Sequence, residues 1–345
     1  DTAAMAVGVL GEEEEVVVVP YVPWGSEETD EAARRKVGVQ ACTLSRKGGL
    51  HKNNEDRATC LPDFNAYGTS KLGLEVDLSH PLTAQPAPVG SFPPLHSLFA
   101  IYDGHGGDTM SAHAAEMLHR HLLLGSNGGI APLDAEPVPD SPTGTAGSFR
   151  TDPEGALLSA FAKVEAELKR YYAKSNDPAG TCAVVALVRG GALWVANVGD
   201  SRALLVTISE RLEVGVELLS TEQRATLQSE RVRIEKSGGF IKDGRAMGNL
   251  IPSRTLGDFQ IKSKNEEAVI STPEIQRHEI RAQDRFLVLG SDGLFDVLKP
   301  GQIAKICAGA KGNPQKAAND LMREVGRKGS TDDTTVIVAS LKLES

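Results

Sequence analysis

The stretch Phe99–Ala100–Ile101–Tyr102–Asp103–Gly104–His105–Gly106–Gly107 decides how this chain reads. Five apolar residues, Leu98 to Tyr102, have the length and sharp bounding of a buried strand. The run breaks into an aspartate, then a glycine turn with one histidine, then a segment of helical spacing. A carboxylate and an imidazole at the mouth of a buried strand are costly to keep there without partners. Metal ions or a charged substrate are the obvious ones.

The same grammar recurs along the chain. Phe286–Leu289 leads into Gly290–Ser291–Asp292–Gly293, and Leu193–Val198 leads into Gly199–Asp200–Ser201–Arg202. In reverse order, Ser330–Thr331–Asp332–Asp333 precedes the β-rich Thr335–Leu341, and Glu55–Asp56 precedes Arg57–Cys60. In an antiparallel sheet the end of one strand lies beside the start of its neighbour. Three aspartates at strand ends and two acidic pairs at strand starts can therefore converge on one edge. A lone Asp-Gly is ordinarily a turn, but five such sites together favour convergence.

Composition narrows the classes. The 345 residues are 40% hydrophobic and 24% charged, as in an ordinary globular protein, and the net charge is −9. With no dense Lys/Arg run, that balance argues against a general nucleic-acid or anionic-membrane binder. Cys42, Cys60, Cys182 and Cys307 are scattered in or beside apolar segments, which reads as buried free thiols in a reducing compartment. No run approaches the roughly 18 apolar residues of a membrane span. The expected location is intracellular, cytoplasm or nucleus, and the chain's start at Asp1 rather than Met allows for a removed targeting segment.

Residues 1–35 read as a peripheral lead-in, and 36–345 as one domain. Pro-, Ser- and Gly-rich insertions are expected near 62–95 and 125–152. Between them, Met110, Ala114, Met117, Leu118 and Leu122 predict a helix over 107–124. A second is predicted over 153–174, with Leu157, Leu158, Phe161, Val164, Leu168 and Tyr171 on its inner face. Strands are expected at 37–44, 57–61, 96–102, 181–189, 191–198, 202–208, 213–219 and 334–342, and helices at 222–237, 300–309 and 314–326. Antiparallel runs of strands with helices between them indicate an α+β layered fold.

The acids gather as Glu55, Asp56, Asp103, Asp200, Asp292, Asp332 and Asp333. Oxygen-only donors suit Mg²⁺ or Mn²⁺, and without His/Cys pairs at ligand spacing a zinc site is disfavoured. Two such ions about 3.5–4 Å apart would make a hydrolytic centre for phosphate esters. His105 is placed either to protonate a leaving oxygen or simply to open the helix.

Six segments now carry a resemblance: Asn54–Glu55–Asp56–Arg57, Asp103–Gly104–His105–Gly106–Gly107, Gly199–Asp200–Ser201–Arg202, Ser253–Arg254–Thr255–Leu256–Gly257–Asp258–Phe259, Ser291–Asp292–Gly293–Leu294–Phe295–Asp296–Val297 and Ser330–Thr331–Asp332–Asp333–Thr334–Thr335. In kind and order they resemble the motifs of the metal-dependent protein phosphatases (PPM, type 2C), over residues 37–342. The resemblance implies a four-layer αββα sandwich, two central antiparallel sheets flanked by helices, with metals at one end. It implies that Asp103 bridges two Mg²⁺ or Mn²⁺ ions and that the Gly104 carbonyl assists one. Asp292 and Asp332 would hold the other ion, Glu55 and Asp56 would position waters, and Asp200 with Asp292 would match a weaker third ion. His105 would be the general acid in the hydrolysis of phosphoserine and phosphothreonine by metal-activated water, without a phosphoenzyme. Phosphoprotein substrates and a monomer are the implied partner and state.

Three further positions have structural readings. Arg254 and Asp258 are expected to fix a turn under the site, and Arg202 to brace the Asp200 loop. Two departures from the family pattern stand out. His51 occupies a position that often carries a phosphate-gripping Arg, and a neutral imidazole does not replace a guanidinium fork. With Lys52, Lys47 or Arg46 as the candidate substitutes, a competent enzyme with weakened phosphate affinity is expected. Thr221–Glu222–Gln223–Arg224 replaces an Asp-His-x-Pro signature, and little effect is expected from it. The rival readings are a weakly active or inactive pseudophosphatase scaffold and a small-molecule phosphoesterase.

Overall fold

The computed structural model describes residues 6–9, 14–18, 37–49, 53–62, 96–124 and 152–343, with 6–9, 14–18 and 96 described by backbone alone. Its strands are β1 (Ala6–Val9), β2 (Glu14–Val18), β3 (Val37–Arg46), β4 (Arg57–Leu61), β5 (His96–His105), β6 (Gly180–Arg189), β7 (Ala192–Val198), β8 (Arg202–Ile208), β9 (Val214–Leu218), β10 (Ile241–Lys242), β11 (Arg245–Ala246), β12 (Leu256–Gly257), β13 (Glu274–Glu279), β14 (Asp284–Gly290) and β15 (Thr334–Leu343). One antiparallel sheet runs β1-β2-β3-β15-β14-β8-β9, and a second runs β13-β7-β6-β5-β4 with β12 beside β6.

Alternation along the strands explains how the sheets stack. On β5, Phe99 and Ile101 point one way and meet Leu205, Leu287, Leu289 and Ile337 of the other sheet, forming the central core. Leu98, Ala100 and Tyr102 point the other way, onto the helices Thr109–Leu124 and Pro153–Ser175. On β14, Phe286 and Val288 likewise turn outward, against the helices Pro300–Gly309 and Pro314–Lys328. Both faces of each central strand are therefore buried, which is why these strands read as unbroken apolar runs. The result is the expected four layers, helix–sheet–sheet–helix. Each fully buried Phe or Leu here contributes roughly 1.5–3 kcal/mol.

The helices begin and end on readable signals. Asp152 caps the helix Pro153–Ser175 by accepting from the Gly155 N–H at 2.9 Å, and proline at the first helical position costs no backbone hydrogen bond. Asn313 caps the helix Pro314–Lys328 in the same way, and Gly329 ends it in left-handed backbone at φ 76°.

Several sequence expectations need correction. The strand expected over 96–102 runs on through His105, because Asp103, Gly104 and His105 keep pairing with Cys182, Thr181 and Gly180. Leu158 and Tyr171 lie off the buried face of their helix, at 38% and 42% exposure. The helix expected over 222–237 starts only at Gln228. The edge strand β13, with sequence EIQRHE, was not expected at all. Within the expected lead-in, β2 pairs with β3 and β1 with β2. The two insertions lie almost wholly outside the described residues. Among the described residues, no helix is long and apolar enough to cross a membrane.

Candidate metal centre

Register explains why the acids meet. Arg57 pairs with Tyr102, so Asp56, one residue before β4, stands across from Asp103. Val198 pairs with Ala183 and Cys182 with Asp103, so the turn after β7 brings Asp200 to the same end. Gly290 pairs with Val336, so Asp292 after β14 and Asp332 before β15 leave their sheet on one side. Carboxylate oxygens of Asp103, Asp200 and Asp292 lie within 4.8 Å of one another. The Asp292 backbone N–H donates to Asp103 Oδ2 at 3.2 Å, and Ser201 Oγ stands 3.5 Å from the same atom.

The surroundings neutralise only part of this charge. Asp56 is buried, and neither of its carboxylate oxygens has a hydrogen-bond partner. Burial pushes its carboxyl up to about 7, and the charges of Asp333 and Asp332 add to this. The nearby Thr335 and Ser291 hydroxyls offset part of the rise but form no hydrogen bond of ordinary geometry. Burial also raises Asp103 well above the usual carboxylate range, helped by the charges of Asp56, Asp292 and Asp200. Asp292 is pushed up to about 8 by burial and then by Asp200, Asp332 and Asp296, with Arg224 pulling the other way. Mutually repelling carboxylates at least half-buried, one of them (Asp56) buried with no hydrogen-bond partner, are what a hard divalent cation relieves. The residues present fit Mg²⁺ or Mn²⁺.

Asp333 is differently employed. Its Oδ1 accepts from the Gly48 N–H at 2.6 Å and its Oδ2 from the Glu55 N–H at 2.7 Å. It thereby ties the loop before β4 to the start of β15. Glu55 passes the tie on, since its carbonyl accepts from Ser111 Oγ at 2.5 Å. A Cβ on Gly104 would overlap that carbonyl, which is why glycine follows Asp103.

His105 has a partner that the sequence reading placed elsewhere. Its Nε2 lies 2.9 Å from Oδ2 of Asp258, a buried side chain carried on left-handed backbone at φ 52°. Burial alone would depress the imidazole, but the charge and hydrogen bond of Asp258, then the charges of Asp200 and Glu55, raise it overall. Asp258 is therefore a partner of the site histidine and not only a turn residue. Arg254 does have the expected structural place, with Nη2 2.6 Å from Glu230 Oε1. Arg202 pairs with Glu222 and lies over the Phe295 ring at 5.2 Å, tying the Asp200 loop to the 221–224 segment.

The 221–224 segment is the larger omission. Gln223 is buried, and its Oε1 accepts from the Gly199 N–H at 2.8 Å while its own N–H donates to the Gly199 carbonyl at 2.9 Å. Arg224 Nε donates to Asp200 Oδ2 at 3.0 Å, and its Nη2 reaches Asp296 Oδ1 at 2.9 Å and Asp292 Oδ2 at 3.9 Å. No periodicity marks such residues; an amide and a guanidinium side by side before a helix were the available signal. His51 and Lys52 lie outside the described residues.

Comparison with known proteins agrees with this geometry. The family model "Protein phosphatase 2C" matches residues 82–334. The bovine integrin-linked kinase-associated serine/threonine phosphatase 2C is 32% identical over 281 residues, covering 76% of this chain and 71% of that one. Its human counterpart is 32% identical over 279 residues, covering 75% and 66%. The chain thus spans about two thirds of these relatives' length. The crystal structure of a serine-threonine phosphatase 2C from Toxoplasma gondii has the same fold, with a TM-score of 0.65 at 19% identity, covering 95% of this chain and 99% of that one. By family model and by sequence relatives alike, the chain belongs to the protein phosphatase 2C family of metal-dependent serine/threonine phosphatases.

Proposed function

We propose that this protein hydrolyses phosphoserine and phosphothreonine in phosphoprotein substrates, using Mg²⁺ or Mn²⁺ held at the acidic edge of its two sheets. The observation that carries the reading is the convergence of the Asp103, Asp200 and Asp292 oxygens beside His105. Asp103, Asp292, Asp332 and the Gly104 carbonyl are the proposed direct ligands of two ions, with Glu55 and Asp56 positioning their waters and Asp200 with Asp292 lining the flank that matches a weaker third ion. When bound, such ions clamp phosphate oxygens and lower the pKa of an attacking water toward neutrality.

The chain's own residues supply the rest. With Nε2 of His105 engaged by Asp258, Nδ1 is the ring nitrogen left to pass a proton. That proton goes to the leaving seryl or threonyl oxygen as its bond to phosphorus breaks, so the product departs as an alcohol. Asp258 fixes the ring and stabilises its protonated form. The phosphate grip at His51 and Lys52 is proposed from the sequence alone.

The test is phosphate release from a phosphothreonine peptide, with Mn²⁺ or Mg²⁺ and then with a chelator, for the wild type and Asp103→Asn. Metal-dependent turnover that falls about 10³-fold or more in the variant is expected, on the scale of losing an electrostatic element of the centre. Folded protein with no turnover at millimolar metal would overturn the reading in favour of a scaffold.

A further inference from the structure

We propose that Arg224 is a tethered cation that occupies the Asp200–Asp292–Asp296 flank of the acidic centre and keeps a further metal ion off it. The proposal rests on the metal-centre reading above and limits how many ions that centre takes.

The contacts of Arg224 make the case. Its guanidinium reaches Asp200, Asp296, Asp292 and Glu222 at 3.0, 2.9, 3.9 and 3.6 Å. Arg cannot release its charge at any working pH, and its rigid fork engages several carboxylates together. The arm also springs from a fixed base. Gln223 is held to Gly199 by two hydrogen bonds, Arg224 forms a backbone bridge with Pro252, and the Ala225 N–H donates to Ile251 at 3.0 Å.

The two flanks of the centre differ in consequence. On the Arg224 side both oxygens of Asp200 have protein partners, Oδ2 with the guanidinium and Oδ1 with Cys182 Sγ at 3.3 Å. On the other side both oxygens of the buried Asp56 have none. A divalent ion entering beside Asp56 finds unpartnered oxygens. An ion entering between Asp200 and Asp292 must displace a hydrogen-bonded guanidinium or sit against its positive charge. Cations are therefore directed to the Asp56–Asp103 flank.

The test counts ions on the free protein rather than turnover. Mn²⁺ binding is followed by isothermal titration and by loss of the free-Mn²⁺ resonance signal, for the wild type, Arg224→Gln and Arg224→Lys. Arg224→Gln is expected to gain one weak Mn²⁺ site bound at least tenfold tighter than any counterpart in the wild type. Arg224→Lys keeps the charge but not the fork and is expected to gain less than Arg224→Gln, which also guards against a general loosening of the site. Thermal melts confirm that each variant is folded. An unchanged ion count and affinity in Arg224→Gln overturns the proposal, as does an equal gain in Arg224→Lys. Failure of the phosphatase reading would appear separately, as absent metal-dependent turnover in the wild type.

Discussion

Glu230 and Asp56 are both buried carboxylates of one chain, and their surroundings drive them in opposite directions. Burial would raise Glu230, but hydrogen bonds from Arg254 and Ser253, the Arg254 charge and an Arg233 hydrogen bond bring it down to about 2. It accepts from Arg254 at 2.6 Å, Ser253 at 2.8 Å and Arg233 at 2.9 Å. Asp56 lacks such partners and is pushed up to about 7. One acid is finished by the protein itself and holds the 228–236 helix to the segment before β12. The other is left unfinished at the centre. In this molecule a carboxylate's partners, more than its burial, separate a structural acid from one awaiting a ligand.

The sharpest way to break that contrast is to neutralise one acid of each kind in metal-free protein. Glu230→Gln strands Arg254 and Arg233 and should destabilise the fold by about 3 kcal/mol, read from urea denaturation. Asp292→Asn removes an acid that folding obliges to take up a proton near neutral pH, so its metal-free melting temperature should rise by about 2 °C. The same variant should lose the stabilisation that Mn²⁺ gives the wild type. If both variants shifted stability in the same direction, the distinction between the two regions would fall.

The next largest effect concerns Asp258, which has features of both classes: it is buried and partnered, yet its partner is the site histidine. Asp258→Asn should lower kcat on a phosphothreonine peptide by about 10²-fold, the scale of general acid catalysis. p-Nitrophenyl phosphate, whose leaving group departs without a proton, should suffer far less. Asp258→Glu should recover part of the peptide activity. Equal losses on both substrates would make Asp258 a structural residue like Glu230.

How much of this was legible in the sequence follows the same division. The central strands were readable because burial on both faces leaves unbroken apolar runs, as in β6 and β14. The convergence of Asp103, Asp200 and Asp292 was readable because each sits at a strand end, and antiparallel pairing fixes where strand ends meet. The edge strand β13 was not, since an edge keeps polar residues and stacks Arg277 over Trp194 at 5.6 Å instead of burying them. Leu158 and Tyr171 misled because apolar residues need not be buried at all. Arg224 and Asp258 escaped because their partners lie 24 and 153 residues away, and no local pattern encodes a long-range ion pair.

The last expected effect tests the contrast most generally. In metal-free protein, Asp56 and Asp292 sit near 7 and 8, against an ordinary 3.8. Between those limits the folded state holds protons that the unfolded chain has released, so stability is highest at the acid end and falls as pH rises to about 8. Glu230 works with the opposite sign, since its depressed carboxyl contributes stability that is lost only as pH falls from 4.5 toward 2. The two windows hardly overlap, so a scan from about pH 5.5 to 8.5 reads the metal centre without interference from Glu230. A cation must displace the centre's protons, so its stabilisation should be small at the acid end of the scan and full at the alkaline end. There, free Mn²⁺ at about 100 times its Kd contributes roughly 2.7 kcal/mol. The gap between melting temperatures with and without Mn²⁺ should therefore widen steadily with pH. A gap constant across the scan would mean that the acids are ionised throughout, and that Asp56 is as well partnered as Glu230.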